Sequence, residues 1–139
     1  MKAKWEKLLP LTGWVVVVED EPALRMLTVE ILTEVGLRPL DFQSADDALT
    51  YLLGMPDGCP LVVVDQSLPG KLKGTEFIEL VKSKWPLTAA ILTSGYELDP
   101  SAVPASTIYL QKPWSMDDLV MAVATLLHPD HPALKLGNH

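Results

Sequence analysis

Three short apolar runs punctuate the chain: Trp14-Val15-Val16-Val17-Val18, Leu61-Val62-Val63-Val64 and Ala89-Ala90-Ile91-Leu92. None alternates apolar with polar residues, and the first two are rich in β-branched valine. Such a run suits a strand covered on both faces, as in a parallel sheet. Buried helix fragments are the competing reading, but each run is too short and too sharply bounded for one. Between the runs the apolar period becomes that of a helix. Leu24, Leu27, Ile31 and Val35 follow Pro22, which a first helical turn tolerates, and Gly36 closes the segment. Ser44 with Asp47 resembles a capping box with a shorter acid, ahead of Ala45, Ala48, Leu49 and Leu52. Phe77, Ile78, Val81 and Trp85 follow Gly74 and stop at Pro86. Ser115 with Asp118 precedes Leu119, Ala122, Val123 and Leu126.

Two weaker strands complete the alternation. Arg38 to Phe42 contains Pro39, which cannot donate to a ladder, so this strand is expected at a sheet edge. Thr107 to Leu110 is the last strand. Strands alternating with helices in this order predict a doubly wound α/β domain with a parallel sheet. The segment Tyr96 to Ser106 should hold a fourth helix, but Pro100 and Pro104 limit it to a short turn. The domain is expected over residues 13–128, with residues 1–12 and 129–139 as tails.

Composition narrows the class. A chain of 139 residues has the length of one domain, and 48% apolar with 21% charged residues argues against disorder. The single cysteine, Cys59, excludes an intrachain disulfide and fits a reducing cytoplasm. A net charge of −7 leaves no basic patch, so no nucleic-acid partner is expected. The apolar runs are too short to span a bilayer. Lys2, Lys4 and Lys7 precede no apolar stretch of the kind a secretory signal needs. His128 and His131 lie in a proline-broken tail and read as solvent-exposed rather than as metal ligands, and Trp5 lies outside the fold. Gly70 to Thr75 is not a phosphate-binding P-loop, because no lysine follows its second glycine.

The polar residues carry the chemistry through their positions. Glu19, Asp20 and Glu21 follow the first strand, Asp65 the third, Thr93 and Ser94 the fourth, and Lys112 the fifth after one glutamine. In a parallel sheet all of them gather at the carboxyl edge, where open α/β sheets bind ligands. Carboxylates sharing a small site repel, and a hard divalent cation such as Mg2+ relieves that repulsion. One carboxylate can then attack phosphorus, while a lysine, a hydroxyl and the metal neutralise the transferred oxygens. Asp65, Lys112 and Ser94 suit those roles. Glu21 reads equally as a site carboxylate or as an acid placed against a helix dipole.

These residues fall into four ordered pieces: Val18-Glu19-Asp20-Glu21-Pro22 with Arg25; Val64-Asp65-Gln66-Ser67-Leu68-Pro69-Gly70 with Gly74; Leu92-Thr93-Ser94-Gly95-Tyr96; and Tyr109-Leu110-Gln111-Lys112-Pro113. Over roughly residues 14 to 128 the chain resembles the receiver domain of bacterial two-component response regulators. The resemblance implies a five-stranded, flavodoxin-like (βα)5 fold with strand order 2-1-3-4-5. It implies Asp65 as phosphoacceptor and Asp20 as a direct Mg2+ ligand. Glu19 would act through water, and Asp65 and the Ser67 backbone carbonyl would complete the metal site. Ser94 is similar to the hydroxyl that follows the phosphoryl group, the Gly95-Tyr96 that comes after it favouring Ser94 over Thr93. Lys112 resembles the ion-pairing lysine, Tyr109 the aromatic switch, and Lys112-Pro113 the family's usual cis peptide.

The implied function is a phosphoacceptor switch, not a turnover enzyme, taking a phosphoryl group from a sensor histidine kinase or a histidine phosphotransfer protein. The last helix ends near residue 128 and about eleven residues follow, so a stand-alone receiver, or one excised from a hybrid kinase, is expected. A phosphorylation-independent interaction domain is the first alternative. A metal-dependent phosphohydrolase is the second, but such enzymes usually carry another aspartate two residues after the nucleophile, and Asp65-Gln66-Ser67 lacks it. Pro69 to Gly74 is one residue longer than family members commonly have. With the fourth helix also reduced, the dimer typical of DNA-binding regulators is not expected. Val120, Met121 and Leu127 read as surplus apolar surface on the last helix, suited to docking a partner helix.

Overall fold

The apolar runs are neighbouring strands of one parallel sheet. The structure, a computed structural model, describes residues 13–127. Its elements are β1 (Trp14–Val18), α1 (Pro22–Glu34), β2 (Arg38–Phe42), α2 (Ala45–Leu53), β3 (Leu61–Asp65), α3 (Gly74–Lys84), β4 (Ala89–Ser94), β5 (Thr107–Gln111) and α4 (Met116–Leu127). A single 3-10 turn, Pro100–Ala102, stands where the fourth of five helices would be. The sheet order is β2-β1-β3-β4-β5, with every pairing parallel. Pro39 therefore lies on an edge strand, where its missing donor costs no ladder bond on the open side.

Valine runs appear because each central strand feeds two cores. Val15 and Val17 pack with Ile31 and Leu32 of α1, with Val35 at its C-cap, and with Leu119 and Val123 of α4. Val16 and Val18 pack with Ala48 and Leu52 of α2 and Phe77 and Ile78 of α3. Polar alternation is excluded on strands buried from both sides.

The helix ends follow from their capping residues. The α1 helix stops in a Schellman turn: Leu37 N donates to Leu32 O and Gly36 N to Thr33 O, each at 3.0 Å, and Gly36 supplies the required positive φ of 105°. Ser44 Oγ accepts from Asp47 N at 3.2 Å. Ser115 and Asp118 form a full reciprocal box, 2.9 and 3.0 Å.

Two expectations about buried faces need correction. On α1 it is Thr28, not Leu27, that joins the buried stripe; Thr28 is 3% exposed and Leu27 46%. The Thr28 hydroxyl donates to Leu24 O at 2.8 Å, so its polar atom is satisfied and its methyl can pack. On α4, Val120 is fully buried, and Met121 and Leu127 are half-buried. The helix covers β4 and β5 and also touches α1, so its wide apolar face is core. Trp5, His128 and His131, and both expected tails, lie outside the described residues.

Candidate functional site

Parallel register sets the site. Val18 pairs with Val64, Asp65 with Thr93, and Ser94 with Gln111. The residues just beyond β1, at the ends of β3 and β4, and just beyond β5 therefore converge on one rim. Lys112 reaches across it: its Nζ lies 3.0 Å from Glu19 Oε1 and 3.2 Å from Asp65 Oδ1. The peptide that follows, Lys112-Pro113, is cis. Each of Glu19, Asp20 and Asp65 offers a carboxylate oxygen within 4.8 Å of the other two. Glu19 and Asp65 are buried and Asp20 is exposed, so the cluster opens outward through Asp20.

Burial pushes the Glu19 and Asp65 carboxyls above their ordinary values, against the pull of Lys112. Burial alone would lower Lys112, but its hydrogen bond to Glu19 and the negative charges of Glu19 and Asp65 outweigh that and leave it raised. One cation thus pairs with two buried carboxylates, and a third carboxylate stands at the rim. Asp65 Oδ1 is buried and, despite its distance to Lys112, is aligned for no hydrogen bond. Three carboxylates, one of them with an unsatisfied oxygen, form the hard donor set that suits a divalent ion such as Mg2+.

Local structure orients these groups. Glu19 Oε2 accepts from Glu21 N at 3.1 Å. Glu21 itself caps α1, accepting from Ala23 N and Leu24 N, which settles its role as a cap and not a cluster member. Arg25 pairs with Asp41 at 3.1 Å and donates to the Glu19 carbonyl at 2.9 Å, bracing the turn that holds the acids. Ser67 and Asp20 line one open cleft of about 400 Å3, together with Lys73 and Tyr96. Ser94 is fully buried; its Oγ donates to Tyr96 O at 2.8 Å and accepts from Tyr96 N at 3.2 Å. The Tyr109 hydroxyl donates to the same carbonyl at 2.8 Å.

Three contributions escaped the sequence pattern. Gln66 binds the start of α3, accepting from Thr75 N at 2.8 Å. Lys73 reaches the cleft from the end of the long loop. Trp114 lines a small void of about 10 Å3 with Glu19, Asp65 and Thr93. Only the lysine had a visible signal, as a cation in the loop after Asp65. A larger cleft of about 490 Å3 lies among Trp14, Gly58, Cys59 and Trp85 and holds none of these groups. Burial pushes the Cys59 thiol up to about 12, so it stays protonated and unreactive.

Comparison with known proteins follows the same geometry. The model of the response regulator receiver domain family matches residues 15–124. The hydrogenase transcriptional regulatory protein HoxA of Cupriavidus necator is 33% identical over 114 residues, covering 78% of this chain and 23% of that protein. The transcriptional regulatory protein FixJ of Bradyrhizobium diazoefficiens is 28% identical over 127 residues, covering 88% and 60%. The chain thus spans about a quarter of the length of the first and three-fifths of the second. A receiver protein from Sinorhizobium medicae superposes with a TM-score of 0.78 at 22% identity, over 84% of this chain and 94% of that one, a likeness of fold. The BeF3-activated DrrB receiver domain gives 0.71 at 26%, over 84% and 98%.

Proposed function

Because the chain belongs to the response regulator receiver family, we propose that it is a phosphoacceptor switch of a two-component phosphorelay, with Asp65 as the acceptor. Receiver domains of two-component systems take phosphoryl groups from histidine kinases and switch on phosphorylation. The finer assignment rests on one observation: Lys112 bridges two buried carboxylates while a third stands at the open rim.

In the proposed transfer an Asp65 carboxylate oxygen forms a bond to phosphorus as the phosphorus–nitrogen bond of a partner phosphohistidine breaks. The electron pair leaves with the imidazole, which takes a proton. Lys112 is already within 3.2 Å of Asp65 and turns from pairing a carboxylate to pairing a phosphoryl oxygen. Ser94 Oγ–H leaves the Tyr96 carbonyl for another phosphoryl oxygen, and Tyr109 responds through the shared acceptor. Asp20, Asp65 and the Ser67 carbonyl would hold Mg2+, with Glu19 through water. The bound ion would draw charge from the transferred oxygens. The phosphoryl group is later lost slowly to water, so the protein acts as a switch and not as a turnover enzyme.

No helix among the described residues is long and apolar enough to cross a membrane. We place the protein in the cytoplasm, with a sensor histidine kinase or a histidine phosphotransfer protein as partner. Incubation with acetyl phosphate and Mg2+, followed by intact mass, tests the reading. A phosphoryl adduct that Asp65→Ala or EDTA abolishes is the expected result. A wild-type protein that takes no adduct would favour a docking module that works without phosphorylation.

A further inference from the structure

We propose that Lys73 is the residue that receives the anionic phosphodonor in the open cleft lined by Asp20, Gln66 and Ser67, whose Asp20 carboxylate lies within 4.8 Å of that of Asp65, an inference that rests on the phosphoacceptor reading above. The loop carrying it is built, not slack. Lys71 N donates to Asp46 Oδ2 of α2 at 3.0 Å. Gly70, at φ +89°, packs so close to that carboxylate that a Cβ there would collide with it. At the far end Lys73 N donates to Glu76 Oε1 at 2.9 Å, and Lys73 Nζ reaches back to Leu68 O at 2.8 Å. The ammonium is therefore held over the segment that follows Asp65, in the wall of the cleft that Asp20 and Ser67 also line.

Charge bookkeeping singles Lys73 out. Lys112 is committed to Glu19 and Asp65. Arg25 is committed to Asp41 and to the Glu19 carbonyl. Among the described residues no carboxylate forms an ion pair with Lys73, and its one bond goes to a neutral carbonyl. An ammonium has three donors, so two remain for a ligand. The approaching donor is an anion and meets a chain of net charge −7 with Asp20 at the rim. A fixed cation at the mouth lowers that barrier over about a Debye length, ~10 Å at ordinary salt.

The role is binding, not bond making. With acetyl phosphate, an Asp65 oxygen bonds to phosphorus, the phosphorus–oxygen bond to acetate breaks, and acetate leaves with the electron pair. Lys73 holds non-bridging oxygens before that step.

The test follows phosphorylation of the whole chain by intact mass, over a range of acetyl phosphate concentrations with saturating Mg2+, at low and at high salt. Lys73→Met is expected to raise the half-saturating donor concentration about 3- to 10-fold at low salt and to leave the limiting rate unchanged. High salt is expected to erase the difference, and Lys73→Arg to restore wild-type behaviour at both. A variant equal to wild type at low salt overturns the proposal. So does a loss of the same size at both salts, which would mark Lys73 as a loop tie only. Failure of the wild type to accept phosphate at all would instead remove the function reading beneath it, and that result needs no variant to see.

Discussion

Ser94 and Tyr109 share one acceptor: both hydroxyls donate to the carbonyl of Tyr96, each at 2.8 Å. A carbonyl has two lone pairs, so both bonds can coexist. In the proposed switch, Ser94 would turn toward a phosphoryl oxygen and Tyr109 would lose its companion at that carbonyl. Ser94 and the aromatic residue on β5 are therefore joined through one backbone atom.

Ser94→Ala removes the buried hydroxyl and both of its bonds to Tyr96. Unfolding in urea is expected to show a loss of about 1 kcal/mol. Acceptance from acetyl phosphate is expected to slow by up to ~100-fold, the scale for losing one fixed donor to a developing charge. Tyr109→Phe removes only the second bond and should leave the acceptance rate within about twofold. If Ser94→Ala is less stable but transfers at the wild-type rate, Ser94 serves only the turn at Tyr96.

Lys112→Met leaves two buried carboxylates with no cation. Removing one partner of a buried pair costs about 3–5 kcal/mol, but the lysine is partly solvated, so ~1–3 kcal/mol is expected at neutral pH. Mg2+ should recover more stability in this variant than in wild type, because it replaces the missing charge. Thermal melting with and without Mg2+ checks both. An equal Mg2+ response in the two proteins would mean that lysine and metal do not serve the same carboxylates.

The raised carboxyl of Asp65 fixes the sign of a pH effect. Its folded value lies above the ordinary 3.8 because burial disfavours the charged form. The folded state therefore holds this proton more tightly, and the resulting stabilisation is fully present below pH 3.8. It is lost as pH rises through the raised value, so at neutral pH, without metal, the ionised Asp65 is a cost. Asp65→Asn is expected to melt a few degrees higher than wild type at pH 7 in EDTA. The advantage should shrink as the solution is acidified toward 3.8. A variant that melts lower at pH 7 would show that the Lys112 pairing outweighs burial.

Much of this was legible because the chemistry is tied to strand ends. Val15 to Val18 and Leu61 to Val64 have one arrangement that hides both faces, and that arrangement sends Glu19, Asp20 and Asp65 to one rim. Pro100 and Pro104 correctly forbade a long helix after β4. What the pattern missed depends on contacts between elements distant in sequence. Val120 looked like surface because it falls outside a narrow helical stripe, yet α4 packs on β4, β5 and α1 and buries it. Leu27 looked like core because it is apolar, but Thr28 can bury itself by bonding back to Leu24. Lys73 lies in a loop whose course is set by Asp46, a residue of another helix, and no local period reveals that.

Gly74 offers a separate check on how tightly α3 is seated against Asp65. A Cβ at this position would lie 2.5 Å from the Asp65 carbonyl oxygen, 2.9 Å from Gln66 Cα and 2.9 Å from Leu92 Cδ1. The first two are backbone atoms at the end of β3, so no rotamer change relieves the clash. Gly74→Ala must push the first turn of α3 away from Asp65 and strain the bond from Gly74 N to Gln66 O. Overpacking of this kind costs about 1–3 kcal/mol. Because the strained backbone carries Asp65, the proposed acceptor, the rate of phosphorylation is expected to fall together with stability. Gly95→Ala is the matching control: no atom lies within 4 Å of its added Cβ, and it should leave the melting temperature nearly unchanged. Loss of stability in Gly74→Ala with an unchanged phosphorylation rate would show that Asp65 is held by the sheet alone, independently of the helix that follows it.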